Sequence, residues 1–576
     1  MMQRARRLVL VFAALLFCGL LALGGRLSWI ALATHETAAL RMDRQSTRSE
    51  LLEARRGSLF DRHGRTLACS VQTLRAEVLP RNVHRRADDD VERAELVNAV
   101  ARFLAPSVGA SVEHLVQRLS GERWTVLGEA VEDPRAVDLI ESERRGLLYG
   151  VDLRTGWSRR YPWGRTAGNL IGYVNHELKG VAGLEQGLDA HLQGHDGARR
   201  QRVDHVGRIV VEGGHEELPP VDGLDVTLTI DARIQQIAEE EAMAALERHA
   251  AKRVTVVAMD PRTGDILAIS SVPGLDLSDT NDRPRDGSTC AALQEIYPPG
   301  STFKPIMMAT AMQLGLAHPD EPPLDCRAFD GPRRIRDTHP KQEPLTLEEI
   351  IVHSSNIGMA NLLTRIVPKD QARNTALMRP VYETLKALGL GEATDLPLPA
   401  EATGIVTPLK RWDRTYTLAS VAFGQELGVS AMQMAAAAST LCDGLYRRPR
   451  LVHGCAGAGG EQAILPREPA RRVFRPDIVD EVRRYMARSV EEGSCEEVKL
   501  PGVSVAGKTG TAEAEIGGEA EVHSYSALVP AEAPFLSLVV VVRDPQDVRY
   551  ASQTAGPAAG RILARVLPYL GQPIGE

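Results

Sequence analysis

Ser301 and Lys304 stand three residues apart in Tyr297-Pro298-Pro299-Gly300-Ser301-Thr302-Phe303-Lys304-Pro305. Two prolines and a glycine end an irregular stretch, and an apolar run follows: Ile306, Met307, Met308, Ala309, Met312, Leu314. The pattern predicts a loop feeding a helix, with Ser301 in its first turn. Residues three apart share a helix face, so the hydroxyl and the amine would point into one space. A hydroxyl is a weak nucleophile at neutral pH and needs a base beside it. A lysine whose surroundings disfavour its charge can be that base. Alone the spacing says little: Ser-x-x-Lys arises by chance roughly once or twice in a chain this long, and a capping serine looks the same.

Two later stretches supply partners. In His353-Ser354-Ser355-Asn356 a second serine sits two residues before an asparagine, with Leu345–Ile351 before it and a helical Met359–Ile366 after it. In Gly507-Lys508-Thr509-Gly510-Thr511 a lysine precedes two hydroxyls flanking a glycine, which lets a backbone or ligand approach closely. Each has a plain reading too: Ser354 and Asn356 as a helix start, Thr509 and Thr511 as strand residues. His353 has no matching partner and reads as structural. Gly502 to Thr509 also fits the phosphate-loop pattern G-x-x-x-x-G-K-[ST], and Leu538–Val542 with Arg543-Asp544 mimics the acidic strand of an ATPase. That reading needs a helix straight after Lys508-Thr509. Here Gly510-Thr511-Ala512 runs toward Gly517-Gly518, which suits a strand and hairpin.

These residues need a scaffold. Val226, Leu228 and Ile230 alternate with threonines as in a strand, and Asp231 then caps a helix carrying Ile234, Ile237, Ala238, Ala242, Ala245 and Leu246. Val254–Met259 and Ile266–Ile269 flank Asp260-Pro261-Arg262-Thr263-Gly264 as a hairpin. Upstream, a linker lies near Gly213–Gly223, with Leu218-Pro219-Pro220 in it. The stretch from Arg160 to that linker is rich in glycine and shows no acid–base pair or metal spacing, so it reads as a non-catalytic spacer. Glu36–Glu53 and residues from about 88 to 150 read as helical, and His63-Gly64 as a turn between two short strands.

Arg4, Arg6 and Arg7 precede an uncharged apolar stretch, Leu8–Gly25, which Arg26 ends. That is near the shortest helix that spans a bilayer, and the arginines place residues 1–7 in the cytoplasm and the rest outside. A cleaved signal peptide is the rival, with Ala31-Leu32-Ala33 as its cleavage site. The 576 residues suggest two to four folding units, and a net charge of −7 gives no basic excess for nucleic acid. Seven scattered cysteines form no C-x-x-C pair, which argues for free thiols against a zinc or redox site.

The set Ser301-x-x-Lys304, Ser354-Ser355-Asn356 and Lys508-Thr509-Gly510 resembles that of the class B penicillin-binding proteins; the S-x-x-K, S-D-N, K-T-G set is shared with class A β-lactamases, and here the middle motif is Ser-Ser-Asn rather than Ser-Asp-Asn. The resemblance covers nearly the whole chain. Arg56-Gly57 through Leu67-Ala68 resembles the family's juxtamembrane motif, and Arg160-Tyr161-Pro162 through Gly194 its pedestal, or dimerisation, domain. Phe423–Ser430 resembles its loop before a buried helix, and Ala555-Gly556-Pro557 through Leu570 its final helix. Asn169 stands where the family has a histidine. The resemblance implies an α+β fold: a serine β-lactamase-like transpeptidase domain with an antiparallel sheet between helices over 225–572. Before it come an elongated mixed pedestal over 50–218 and a transmembrane anchor over 8–25. It leaves room for neither a glycosyltransferase domain in front nor small domains behind.

The resemblance also implies a peptidoglycan D,D-transpeptidase that passes through a serine acyl-enzyme. Ser301 attacks the penultimate D-alanine of a stem peptide, Lys304 takes its proton, and Ser354 relays a proton to the departing D-alanine. Asn356 holds the peptide amide and helps position Lys304. Lys508 sets the positive potential, Thr509, Gly510 and Thr511 bind the carboxylate, and the Ser301 and Thr511 N–H groups form the oxyanion hole. An amine from a second stem resolves the ester, with no metal or cofactor. β-Lactams are expected inhibitors, and a multi-spanning glycan polymerase is an expected partner in the bacterial cytoplasmic membrane. Ser-Ser-Asn points to the septal branch. The alternatives are an elongation transpeptidase, a β-lactam sensor or silent scaffold on this fold, and the ATPase.

Overall fold

The computed structural model describes residues 2–33, 47–84, 87–108, 110–121, 125–131, 151–202, 215–279, 290–457, 462–493, 495–513, 521–546, 548–572 and 574. The chain forms two compact units, Met1–Arg55 with Gly194–Asp222 and Arg56–Gln193 with Gly223–Glu576.

In the first unit, helix α1 (Met2–Ala33) carries a segment, Arg6–Ile30, long and apolar enough to cross a membrane. The helix runs on past Gly25 because Arg26 does not break it; a long side chain can reach a polar layer from inside an apolar helix. The unit also holds a three-stranded antiparallel sheet, Thr47–Leu52, Gly197–Arg202 and His215–Leu218. The expected helix over Glu36–Glu53 is therefore a strand over 47–52, while 36–46 lies outside the described residues. Arg199 explains the change. It stands opposite Glu50 on one side and Glu217 on the other, and bonds Glu217 at 3.0 Å. Such cross-strand charge pairs favour a sheet over a weakly amphipathic helix.

The second unit begins with an antiparallel sheet. The turn at Gly64 joins Leu59–Phe60 to Thr66–Val78, which pairs with both Thr125–Val131 and Val151–Arg160. Helices Asp90–Val108 and Val112–Leu119 bury Val97, Ala101, Leu104, Leu115 and Leu119 against Ala76, Val78 and Leu127 of that sheet. The helical expectation thus fails at Thr125–Val131, where β-branched residues complete the sheet, and 132–150 lies outside the described residues. Buried Glu185 ties the region together, accepting from Arg56 at 2.8 Å and Arg159 at 2.7 Å. Asn169 has a structural role. Its amide donates to the Ser271 carbonyl at 3.0 Å and accepts from the Leu275 N–H at 3.0 Å.

The rest of this unit is organised on one sheet. Asp231 caps α2 (Ala232–Arg248), bonding the Arg233 N–H at 2.9 Å. Strands β1 (Arg253–Asp260) and β2 (Asp265–Val272) form the expected hairpin. Then come α3 (Lys304–Gln313), α4 (Asn356–Leu363), α5 (Ala431–Ser439) and α6 (Pro476–Glu491). Strands β3 (Ala506–Glu513), β4 (Glu521–Val529) and β5 (Leu536–Arg543) and helix α7 (Ala555–Tyr569) complete it. The sheet order is β2-β1-β5-β4-β3, antiparallel throughout. Side chains alternate across it. Val254, Val256 and Ala258 join the α2–α7 core, while Val257 and Met259 join the core of α3 and α5. Helices cover both faces, so β1 is buried from Val254 onward and apolar from Val254 to Met259 except at Thr255. Strand β3 is left at the edge, and the site is built there.

Candidate active site

Ser301 lies in a tight 3-10 turn, Gly300–Phe303, and α3 starts only at Lys304. The helix begins one turn later than the spacing predicts. Pro305 fits in that first turn because its missing N–H has no intrahelical acceptor to lose. Two close approaches hold the turn. The Gly300 N–H donates to the Gly424 carbonyl at 2.9 Å, and a Cβ on Gly424 (φ +77°) would meet the Gly300 oxygen at 2.1 Å. A Cβ on Gly510 of β3 would come within 3.0 Å of the Thr302 N–H nitrogen. Only glycines let the Phe423–Ser430 segment and the edge strand close on the serine turn.

Lys304 has no exposed surface. Its Nζ donates to the Ser354 carbonyl at 2.5 Å and to the Ser354 hydroxyl at 3.1 Å. Burial, and then the charge of Lys508, holds its pKa well below the usual lysine range, while the Asp337 carboxylate pulls it up. The Ser301 hydroxyl makes no hydrogen bond among the described residues, so the expected serine–lysine bond is not formed here. Apo sites often close such bonds only around substrate.

Ser354 follows helix Leu347–Val352 with φ +57°, a left-handed conformation that costs a non-glycine residue on the order of 1 kcal/mol. The bend turns its carbonyl and its hydroxyl onto one amine. Next to it, Ser355 caps α4, accepting from the Gly358 N–H at 2.9 Å and donating to Asp337 at 2.6 Å. The Asn356 and Ile357 N–H groups donate to the other Asp337 oxygen at 2.6 and 3.0 Å. Asn356 corrects one expectation. Its amide donates to the Arg336 carbonyl at 2.9 Å and does not reach Lys304, because the loop carrying Asp337 lies against it. Its Oδ1 keeps no partner among the described residues.

Lys508 is 3% exposed, and burial pushes its pKa down to about 8. Its Nζ bonds the Thr509 carbonyl at 3.3 Å. It lies mid-strand, opposite Ser526, with Thr511 opposite His523. A strand in place of a helix removes the phosphate-loop reading; Gly517 and Gly518 lie outside the described residues. Thr511 is exposed and accepts from the Ala551 N–H at 3.2 Å, leaving its own O–H to donate. His353 ends the helix before Ser354 and bonds no site side chain among the described residues. Sequence reasoning missed Asp337, Gly424 as the support of Gly300, and Ala551. Asp337 sits in an irregular stretch where no periodicity marks it. No group of three metal-ligating side chains occurs among the described residues.

Residues 254–567 match the penicillin binding protein transpeptidase domain, and residues 51–228 the penicillin-binding protein dimerisation domain. The chain is 28% identical to Peptidoglycan D,D-transpeptidase FtsI of Escherichia coli (strain K12), over 96% of this chain and 91% of that protein. It is 28% identical to Probable peptidoglycan D,D-transpeptidase PenA of Neisseria meningitidis serogroup A, over 98% of this chain and 92% of the relative. A solved peptidoglycan synthetase from Bifidobacterium adolescentis superposes with a TM-score of 0.72 at 27% identity, covering 92% of this chain and 98% of that one. The transpeptidase match alone takes in more than half of the chain, and it holds the serine turn, the Ser354 bend and the edge strand. By that match the chain belongs to the penicillin-binding protein transpeptidase family.

Proposed function

We propose that the protein is a serine-type peptidoglycan D,D-transpeptidase, anchored by α1 with its second unit outside the cytoplasm, that cross-links septal cell wall. The observation that carries this is Lys304: an amine buried without an anion bonded to it, kept short of protons, and bonded to the Ser354 hydroxyl. Such a group is a proton acceptor at neutral pH. Its proton comes from Ser301. As the Ser301 Oγ–H bond breaks, Oγ bonds the carbonyl carbon of the penultimate D-alanine, and the carbonyl pair moves onto oxygen. That oxygen falls to the N–H of Ser301, in the first turn of the 3-10 segment, and to the N–H of Thr511. Collapse expels the terminal D-alanine, whose nitrogen takes a proton through Ser354 from Lys304. The amine of a second stem then attacks the ester by the reverse path and frees Ser301.

Strand β3 suits a peptide substrate because an edge strand presents unpaired backbone groups for another chain. Lys508, Thr509 and the free O–H of Thr511 draw in the carboxylate. The free Oδ1 of Asn356 suits the substrate's amide N–H. A β-lactam presents the same acyl group and carboxylate and would stop at the ester. The septal assignment rests on Ser-Ser-Asn at 354–356 and on likeness to proteins named FtsI and PenA.

The test is intact-mass analysis of the chain from residue 27 onward with and without a penicillin, followed by peptide mapping. The expected outcome is one adduct, on the peptide holding Ser301, absent from Ser301→Ala. An adduct on another serine, or none on the native chain, removes the reading.

A further inference from the structure

Among the described residues, the carboxylate of Asp337 is the acidic group acting on Lys304 that the mechanism above leaves unused. It accepts the Ser355 hydroxyl at 2.6 Å and the N–H groups of Asn356 and Ile357 at 2.6 and 3.0 Å. Those donors open α4, so the carboxylate also meets the positive end of the helix. Three bonds to consecutive residues fix where 355–357 sit, and Ser354 is the next residue back. Its strained left-handed backbone is held from behind by the end of the preceding helix, through Ser354 N–H to Ile351 at 3.2 Å and Ser355 N–H to Ile350 at 2.9 Å. A strained conformation persists only where its surroundings over-determine it. Here the surroundings are that helix end and Asp337.

We propose that Asp337 is a positioning residue for the acyl-transfer step: it clamps the Ser354 bend on Lys304 and offsets the charge that Lys304 gains when it takes the Ser301 proton. The inference rests on the serine–lysine reading above. The charge balance supports it. When Lys304 is protonated, two ammonium groups lie buried together, Lys304 and Lys508, and Asp337 is the carboxylate that acts on Lys304 with the opposite sign. The polar groups bonded to the amine, the Ser354 carbonyl and hydroxyl, are neutral. Without Asp337 the protonated intermediate would face only a like charge.

The experiment measures the rate of Ser301 acylation by a penicillin against pH for three chains. The native rate rises as Lys304 loses its proton. Asp337→Asn keeps an oxygen for the two N–H groups and removes the charge. Its ascending limb should move down by at least about half a pH unit, since an opposite charge raises the pKa of an amine, with acylation at pH 7 about 10-fold or more slower. Ser355→Ala breaks the 2.6 Å bond but keeps the charge, so it should slow acylation several-fold with the limb in place. A merely structural aspartate predicts lower stability with both limbs unmoved, and that result overturns the inference. So does an unchanged rate in Ser355→Ala, which decides the matter alone if Asp337→Asn does not fold. A native chain that takes no adduct on Ser301 would instead remove the underlying reading, so the two failures are distinguishable.

Discussion

At the scale of single residues, the mechanism we propose asks two buried lysines to do opposite things at the same pH. In it Lys304 is neutral to accept a proton, while Lys508 is charged to attract a carboxylate. The structure separates them by environment: Lys304 is the more strongly shifted, and Lys508 is moved only to about 8. Acylation therefore rises with pH as Lys304 deprotonates and falls again as Lys508 loses its charge near 8. A bell-shaped rate profile with its alkaline limb close to that pH is the expected measurement. Lys508→Ala should lower the whole curve and erase the alkaline limb without unfolding the domain. Lys304→Ala should cost about 10²–10⁴-fold in rate across the range. An alkaline limb that survives in Lys508→Ala would show that another group sets it. Lys304 and Lys508 could be picked out as candidates because residue type and spacing survive without coordinates. Asp337 was not: its meaning lies in bonds to residues about twenty positions away, and nothing in Arg336-Asp337-Thr338 announces them.

At the scale of elements, the long apolar runs were readable and the supports of the serine turn were not. Val254–Met259 is apolar except at Thr255 because helices cover both faces of the sheet, and that leaves a strong pattern. Thr47–Leu52 and Thr125–Val131 carry no such pattern; their strands exist because partners far along the chain offer edges. Gly424 matters for the same nonlocal reason. Its positive φ and its approach to Gly300 fix where the 3-10 turn stands relative to β3. Gly424→Ala places a methyl 2.1 Å from the Gly300 oxygen, so one segment must withdraw. The expected result is a loss of about 1–3 kcal/mol in stability. Acylation should fall further than stability accounts for, because Ser301 moves relative to Lys304 while both stay in the chain. Thermal unfolding and penicillin acylation on the same preparation test this. A stability loss with native acylation would mean that the turn is held elsewhere.

At the scale of the whole molecule, the reaction sets the context. Transpeptidation joins stems on glycan strands that already exist and does not lengthen a strand. A membrane-embedded glycan polymerase that delivers donor and acceptor strands beside α1 is the partner we propose. Two uses of such a pair compete, at the division septum and along the side wall. Asn356 favours the septum, as does the likeness to proteins named FtsI and PenA. The backbone N–H of Asn356 is fixed on Asp337 and its amide on Arg336, so the residue is part of a built site and not a surface substitution. Depletion in the native host, rescued by chains that keep α1, separates the two uses. The septal assignment expects cells that elongate and fail to divide, giving filaments or chains. A Ser301→Ala chain should not rescue them although it reaches the membrane, because the missing activity is the cross-link. Deleting residues 1–30 should also fail to rescue while the released domain still binds penicillin, because the reaction must occur where the polymerase delivers strands. Rounded cells that continue to divide would assign the protein to side-wall synthesis and leave the chemistry of Ser301 and Lys304 as argued.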